Sequence, residues 1–273
     1  MLGKFGTTRS LFFLPRVCDN VVMLTELSRS PMDTRARAAD SIARAMDAQP
    51  MLGFRREFTD AFPHAALYLV GGAVRDAMLG RTNKDFDFIV TGVPKEQIER
   101  WFGERGHIEL TGRNFGVWKF TPRGFQTSQI EPVDLALPRR EHISPDSLGG
   151  YRDFDMQSDP DLPIEKDLER RDFTMNALAY DQTGEILDLF GGTKDIEHKL
   201  IRAVNDPRER FGEDLSRMLR AIRFAAQLGF EIEEATFEAM KEKMPLINQR
   251  RARRLTDVER ERGKKGGDEF VVP

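Results

Sequence analysis

The sequence predicts an α+β fold, a mixed sheet with helices followed by a small helical unit. The first observation behind this is order. Residues 66–136 read as strand, helix and then a run of strands, the pattern of an α/β or α+β domain with a mixed sheet. The second is a glycine turn, Gly71 and Gly72, set between an apolar run, Leu67 to Val70, and a short helical segment. The third is a change of period at Pro207, after which PRERFGEDLSRMLRAIRFAAQLG reads as one long amphipathic helix closed by Gly229.

In chain order, residues 33–48 are predicted helical, with Asp33 as N-cap and Pro50 as terminator, and 54–62 form a shorter helix. After the strand at 67–70, Val74 to Leu79 makes about two helical turns stopped by Gly80, and the next strand carries Asp85 and Asp87. Pro94 opens a helix closed by Gly103 or Gly106. HIEL, the strand after GRNFG that ends before Pro122, and PVDLAL with Asp134 supply further strands. Residues 141–163, with Pro145, Gly149, Gly150, Pro160 and Pro163, lack a regular pattern and read as a mobile flap. DLERRDFTMN begins as a helix, ALAYD and EILDLFGG are strands around Gly184, GGTKDIEHKL is a helix and IRAV a last short strand. EEATFEAMKEKMPLINQ is a helix expected to break near Pro245. Met218, Leu219, Ile222 and Ala226 are expected to form the buried stripe of the long helix.

Composition narrows the function classes. The 273 residues, 40% of them hydrophobic, suffice for one large or two small domains with a sizeable core. A formal net charge of −3 gives no global basic signal, so RNA contact has to come from local patches. The single cysteine, Cys18, excludes an intramolecular disulfide and a cysteine zinc site, and it fits a reducing compartment. His64, His107, His142 and His198 are scattered without metal spacing. No apolar run approaches the roughly 20 residues of a membrane span. Residues 1–18 carry Lys4, Arg9 and Arg16 and no acid. They read as a disordered extension or an over-long start, with a mitochondrial presequence as the other reading, so the expected location is cytoplasmic, or mitochondrial from a eukaryotic source.

Chemistry concentrates in three stretches. In ALYLVGGAVRDAMLGRTNKDFDFIV (66–90), a turn without Cβ atoms lets backbone N–H groups approach an anion closely. Asp85 and Asp87, at i and i+2 of a strand, face one side, and two adjacent carboxylates repel unless a cation neutralises them. A glycine turn alone is common and an Asp-x-Asp pair alone is ordinarily solvated surface; joined in one stretch they describe a nucleotide-handling arrangement. In RRDFTMNA, Arg170, Arg171 and Asp172 would pass by composition for a helix-surface salt-bridge cluster. In ERFGEDLSRMLRAIRF, Asp214 and Arg217 lie three apart, where an i,i+3 ion pair is the ordinary explanation.

Taken together, GGAVRDAMLG, a short spacer and KDFDF resemble the first motif of polymerase-beta-like nucleotidyltransferases, in the branch of bacterial CCA-adding enzymes and poly(A) polymerases. RRDFTMNA resembles the second motif, and the similarity spans about residues 66–248, the head and neck of a class II CCA-adding enzyme. The resemblance implies two Mg2+ ions held by Asp85, Asp87 and Asp134, the last within VDLALPR. It places Gly71, Gly72 and Arg75 at the nucleotide, Arg171 on the phosphates, and Asp172 and Asn176 near the ribose. Asp214 and Arg217 become a protein template for the base, and Arg220 and Arg223 help hold the triphosphate. LDLFGGTKDI would couple head and neck without a catalytic role. The implied reaction is template-independent addition of CMP and AMP, from CTP and ATP, to a tRNA 3′ end with release of pyrophosphate. Poly(A) synthesis is the alternative, and a nucleotide-binding remnant with little turnover is an alternative of another class. The expected division is an extension at 1–60, a head at 61–205, a helical neck at 206–250 and a disordered charged tail at 251–273. After Gln249 the expected neck helix gives way to RRARRLTDV, so a truncated or frameshifted product is expected there.

Overall fold

The structure, a computed structural model, describes residues 31–83, 85–112, 116–128, 130–143 and 154–247. The expectations for the N-terminus at 1–18 and the tail at 251–273 lie outside the described residues. Helix α1 (Pro31–Asp47) starts two residues before the expected Asp33 cap, with proline in its first turn, where a missing N–H costs no hydrogen bond. Ala38, Ile42 and Met46, spaced by four, form its buried stripe. A 3-10 turn (Pro50–Leu52) leads into α2 (Phe54–Ala61). Phe54 packs edge-on against Phe88, Phe102 and Phe120 at centroid distances of 6.1, 5.4 and 5.3 Å. Residues 38–58, ahead of the expected boundary at 61, thus share the core of the sheet behind them.

That sheet follows from the apolar runs. Strand β1 (Ala66–Val70) feeds α3 (Gly72–Met78), then come β2 (Asp87–Thr91), α4 (Lys95–Gly103), β3 (Gly106–Gly112), β4 (Val117–Pro122) and β5 (Val133–Ala136). A ribbon of β6 (Arg139–Ile143) and β7 (Phe154–Ser158) precedes α5 (Ile164–Glu169), a 3-10 turn at Thr174–Asn176, β8 (Leu178–Tyr180) and β9 (Ile186–Asp188). Seven strands pair in the order β3-β4-β5-β2-β1-β8-β9. The sheet is mixed as expected, because β2 and β5 are parallel while the other pairs are antiparallel. Side-chain alternation then sorts residues onto two faces. Leu67, Leu69, Phe88, Val90, Trp118, Phe120, Val133 and Leu135 join the core with α1, α2 and α4. Val70, Ile89 and Ala136 join a second cluster with Ile164 and Leu168 of α5. By the same alternation Asp87 and Asp134 stand on the α5 face.

The helical unit begins after α6 (Gly192–Glu197) and β10 (Leu200–Ile201). It comprises α7 (Pro207–Glu213), α8 (Ser216–Leu228), the short strand β11 (Glu231–Ile232), and a helix over residues 234–247, α9.

Five local expectations are corrected. Asp85 lies in the loop before β2 rather than in the strand, because the Asn83 side chain accepts its backbone N–H at 2.8 Å and holds a turn. Residues 141–163 are not patternless at their flanks: β6 pairs antiparallel with β7, from Arg139 opposite Ser158 to Ile143 opposite Phe154. Such pairing is backbone to backbone and needs no apolar alternation to announce it; residues 144–153 of the expected flap lie outside the described residues. The long helix is broken at Asp214, which is extended at φ −139°. Its carboxylate accepts from the Ser216 N–H at 2.9 Å and Oγ–H at 2.8 Å, so a short side chain competes with the helical ladder. Packing of α8 against β10 and β11 buries Met218, Ala221 and Phe224, while Leu219 and Ile222 are about half exposed, at 56% and 48%. Helix α9 runs through Pro245, because burial of Ala239 and Met240 holds it while the proline removes only one N–H.

Phe58 is fully buried against Phe62, Trp101 and Phe102. Phe58→Ala should therefore cost roughly 3–5 kcal/mol of global stability in urea unfolding, the range for a buried aromatic. A loss under about 1 kcal/mol would mean that α2 is a detachable extension.

Candidate active site

Gly71 ends β1 at φ +71°, a conformation that L side chains rarely adopt, and a Cβ there would stand 3.0 Å from Arg171 Nη1. The turn therefore lets a guanidinium approach the backbone. Arg75, one turn along α3 and 9% exposed, donates from Nη1 to Asn176 Oδ1 at 2.8 Å and from Nε to Asp76 Oδ1 at 2.9 Å. Asn176 in turn donates from Nδ2 to Asp172 Oδ1 at 3.2 Å. Asp172 also accepts from the Phe173 N–H at 2.8 Å and, on Oδ2, from Arg220 Nε at 2.6 Å. A polar chain, buried except at its Arg220 end, thus runs from the glycine turn through the 3-10 turn to α8, with partners on every member.

Beneath it, Asp167 on α5 is fully buried. It accepts from Arg170 Nε at 3.0 Å and Nη2 at 2.6 Å, and from Arg171 Nη2 at 3.2 Å. Burial by itself would raise this carboxyl's pKa, but Arg170 and Arg171 outweigh it and hold the group below the ordinary carboxylate range. Arg171 also donates from Nη1 to the Asn176 carbonyl at 3.2 Å, and its buried Nε has no hydrogen-bond partner among the described residues. Arg217, 7% exposed, donates to the Arg170 carbonyl at 3.0 Å and the Arg210 carbonyl at 3.2 Å, and it pairs with Glu213. The ordinary i,i+3 pair with Asp214 does not form among these contacts, since Asp214 has turned away to cap α8.

Across from the arginines lie the carboxylates. Asp87 and Asp134 are register partners on the parallel strands β2 and β5. Asp87 is open to the cleft, yet desolvation by the protein packed around it first, then the charge of Asp134 and of Asp85, pushes its carboxyl above the ordinary range, with Arg171 and Lys119 opposing. Lys119, the register partner of Asp134 on β4, donates to Asp134 Oδ1 at 2.7 Å, and that bond raises its own pKa. Among the described residues no three His, Cys, Asp or Glu side chains close around one point in the manner of a metal site.

A cleft of about 530 Å3 gathers most of the expected site. Gly71, Gly72, Arg75, Asp87, Arg171, Asp172, Asn176, Asp214, Arg217 and Arg220 line it. Asp85 and Asp134 stand beside Asp87 without lining the cleft, and Arg223 is exposed on α8 next to the Phe224 ring. Sequence reasoning missed Arg170, Ser216 and Phe224 in the lining, Asp167 beneath it and Lys119 beside it. Asp167 was legible as an acid three and four residues before an Arg pair, and Ser216 as a capping partner two residues after an Asp. Lys119 and Phe224 had no local signal, because strand pairing and helix phase place them.

Asp167→Asn should cost roughly 3–5 kcal/mol at pH 7, since it removes the buried charge that two partly buried guanidiniums share. The native carboxyl has a depressed pKa, so its contribution is present above the unfolded value of about 3.9 and is lost as pH falls through the folded value. The stability gap between native protein and variant, measured by denaturant unfolding, should therefore close below about pH 4.

Residues 67–202 match the family described as the poly A polymerase head domain. The chain is 38% identical over 191 residues to a CCA-adding enzyme of Enterococcus faecalis, covering 69% of this chain and 43% of the relative. Its structure is similar to that of the Bacillus stearothermophilus CCA-adding enzyme in complex with CTP, with TM-score 0.58 and 30% identity over 72% of this chain and 45% of that one. It is also similar to the Thermotoga maritima CCA-adding enzyme complexed with tRNA, with TM-score 0.55 and 29% identity over 74% and 44%. The chain spans less than half the length of these relatives. The glycine turn, the carboxylates of β2 and β5 and the RRDFTMNA segment all lie within the matched residues, and by that match the chain belongs, across 67–202, to the poly A polymerase head domain family.

Proposed function

We propose that this chain is the nucleotide-selecting and catalytic part of an RNA nucleotidyltransferase that adds CMP and AMP, from CTP and ATP, to a tRNA 3′ end and releases pyrophosphate. The observation that carries this reading is the convergence of Arg75, Arg171, Arg217 and Arg220 in one cleft with Asp87, Asp172 and Asp214. The similar structures include CCA-adding enzymes in complex with CTP, with ATP and with tRNA, which supports the same substrates here.

The residues divide the work by chemistry. Arg171 and Arg220 present planar forks suited to paired phosphate oxygens. Asp172 and Asn176 offer acceptor and donor atoms to ribose hydroxyls. Asp214 uses one lone pair on each oxygen for Ser216, and a carboxylate has about four such sites, so it can still accept from the exocyclic amine of cytosine or adenine. Uracil and guanine present a carbonyl there and would meet the carboxylate's charge unfavourably. Arg217, pinned by carbonyls and Glu213, offers a fixed donor to ring acceptors. The 3′-hydroxyl of the RNA attacks the α-phosphate, and pyrophosphate departs toward the guanidiniums.

Asp87 and Asp134, side by side on parallel strands with Asp85 nearby, offer hard oxygen donors of the kind that suit magnesium. Asp85, Asp87 and Asp134 would hold it, two ions in this reading; when bound, magnesium supplies charge neutralisation at the triphosphate and acidity at the attacking hydroxyl.

Incubating the protein with magnesium and tRNA lacking its CCA end should show CMP addition from CTP alone, CMP then AMP when ATP is also present, and no addition from UTP or GTP. Incorporation of AMP alone onto any RNA would replace this reading with poly(A) synthesis, and CTP binding without turnover would leave a nucleotide-binding remnant. Magnesium at ten times its dissociation constant should raise the melting temperature by roughly 3–6 °C. In Asp87→Asn that rise should be lost; an undiminished rise would remove the acidic pair from the metal site.

A further inference from the structure

Phe224 has an unusual set of neighbours. The guanidinium carbons of Arg75, Arg220 and Arg223 stand 5.4, 5.3 and 5.1 Å from its ring centroid. The ring is 8% exposed, lines the cleft, and is braced edge-on by Phe173 at 5.9 Å. Arg75 belongs to the helix after the glycine turn, whereas Arg220 and Arg223 belong to α8, so one ring touches cations from both sides of the cleft. Three like charges within reach of one another repel. The face of an aromatic ring carries no net charge, yet its quadrupole attracts a guanidinium. Arg75 and Arg220 have further anchors in Asn176, Asp76 and Asp172.

We propose that Phe224 is a positioning residue for triphosphate binding: its ring gathers Arg75, Arg220 and Arg223 into one fan before the anion arrives. The proposal rests on the nucleotidyltransferase reading of the cleft and adds to it a residue that touches no reacting atom. What matters in this role is the negative face of the ring, not its volume. An apolar plug of equal size would fill the core without offering the guanidiniums a negative face. Arg223, which does not line the cleft, thereby acquires a path to the phosphates through the ring.

The test separates ring electrostatics from packing. Position 224 of the full chain is replaced by phenylalanines carrying one, two and three fluorines, which drain the ring face at nearly constant shape. CTP affinity is read by calorimetry with magnesium, alongside the melting temperature. Affinity should fall stepwise with fluorine number, by about tenfold at three fluorines, with the melting temperature held. Phe224→Leu should match the trifluoro protein, and Phe224→Trp should bind at least as well as the native one. Equal affinity across the fluorinated series overturns the proposal, as does a loss that tracks melting temperature instead of fluorine number. Failure of the unsubstituted protein to bind CTP or ATP overturns the nucleotidyltransferase reading and this proposal with it, whereas native binding with a flat series overturns only the role of the ring.

Discussion

The constraint on which the site depends is the buried carboxylate of Asp172. A charge this far from water is costly unless donors surround it. Asp172 finds three: the Phe173 N–H, the Asn176 amide and Arg220. Asn176 passes the link to Arg75, so the glycine turn after β1, the 3-10 turn before β8 and the helix α8 are held by one set of polar contacts. Remove any member and its neighbour loses one of its hydrogen bonds. The same need explains why the helical unit cannot drift from the sheet: part of the donor set that satisfies Asp172 is carried on α8.

Sheet alternation supplies the second half of the arrangement. Because β2 and β5 are parallel and in register at Asp87 and Asp134, both carboxylates emerge side by side on the face that α5 covers. Helix α5 ends there, and Asp167 beneath its last turn fixes the directions of Arg170 and Arg171. Asp87 thus lines the same cleft as Arg170 and Arg171, with Asp134 beside it on the neighbouring strand. Opposite charges stand at hand on both sides: Lys119 beside Asp134, and Asp167 beneath the arginines.

The second turn motif, LDLFGGTKDI, shows how a backbone detail connects distant parts. Asp188 accepts from the Gly192 and Thr193 N–H groups at 2.8 and 2.9 Å and pairs with Arg35 of α1 at 3.1 Å. A Cβ on Gly192 would collide with the Thr174 carbonyl, so glycine lets α6 sit directly on the 3-10 turn. Thr174 in turn donates to Asp195 at 2.6 Å, Asp195 pairs with Arg202 at 3.1 Å, and Arg202 reaches Glu233 at the start of α9 at 3.3 Å. The head and the helical unit thus communicate through ion pairs whose members are far apart in sequence.

What was legible in the chain was whatever local chemistry encodes. Apolar runs and glycines announced β1, its turn and α3, while the family resemblance, not local spacing, marked Arg171, Asp172, Asn176, Asp214 and Arg217, which do meet in the cleft. Other features depended on competition between near-equal local options. Asp214 could stay in a helix or cap the next one, and its carboxylate chose the cap. Helix α8 offered two apolar stripes, and contact with β10 and β11 selected the one with Phe224. The sequence by itself determined the mixed sheet, the glycine turn and the cast of acidic and basic side chains, because periodicity and backbone freedom are local properties. Only the tertiary structure decided that Lys119 meets Asp134, that Asp167 lies beneath two arginines and that one ring serves three guanidiniums, because register and helix phase are set by burial between segments that do not adjoin in the chain.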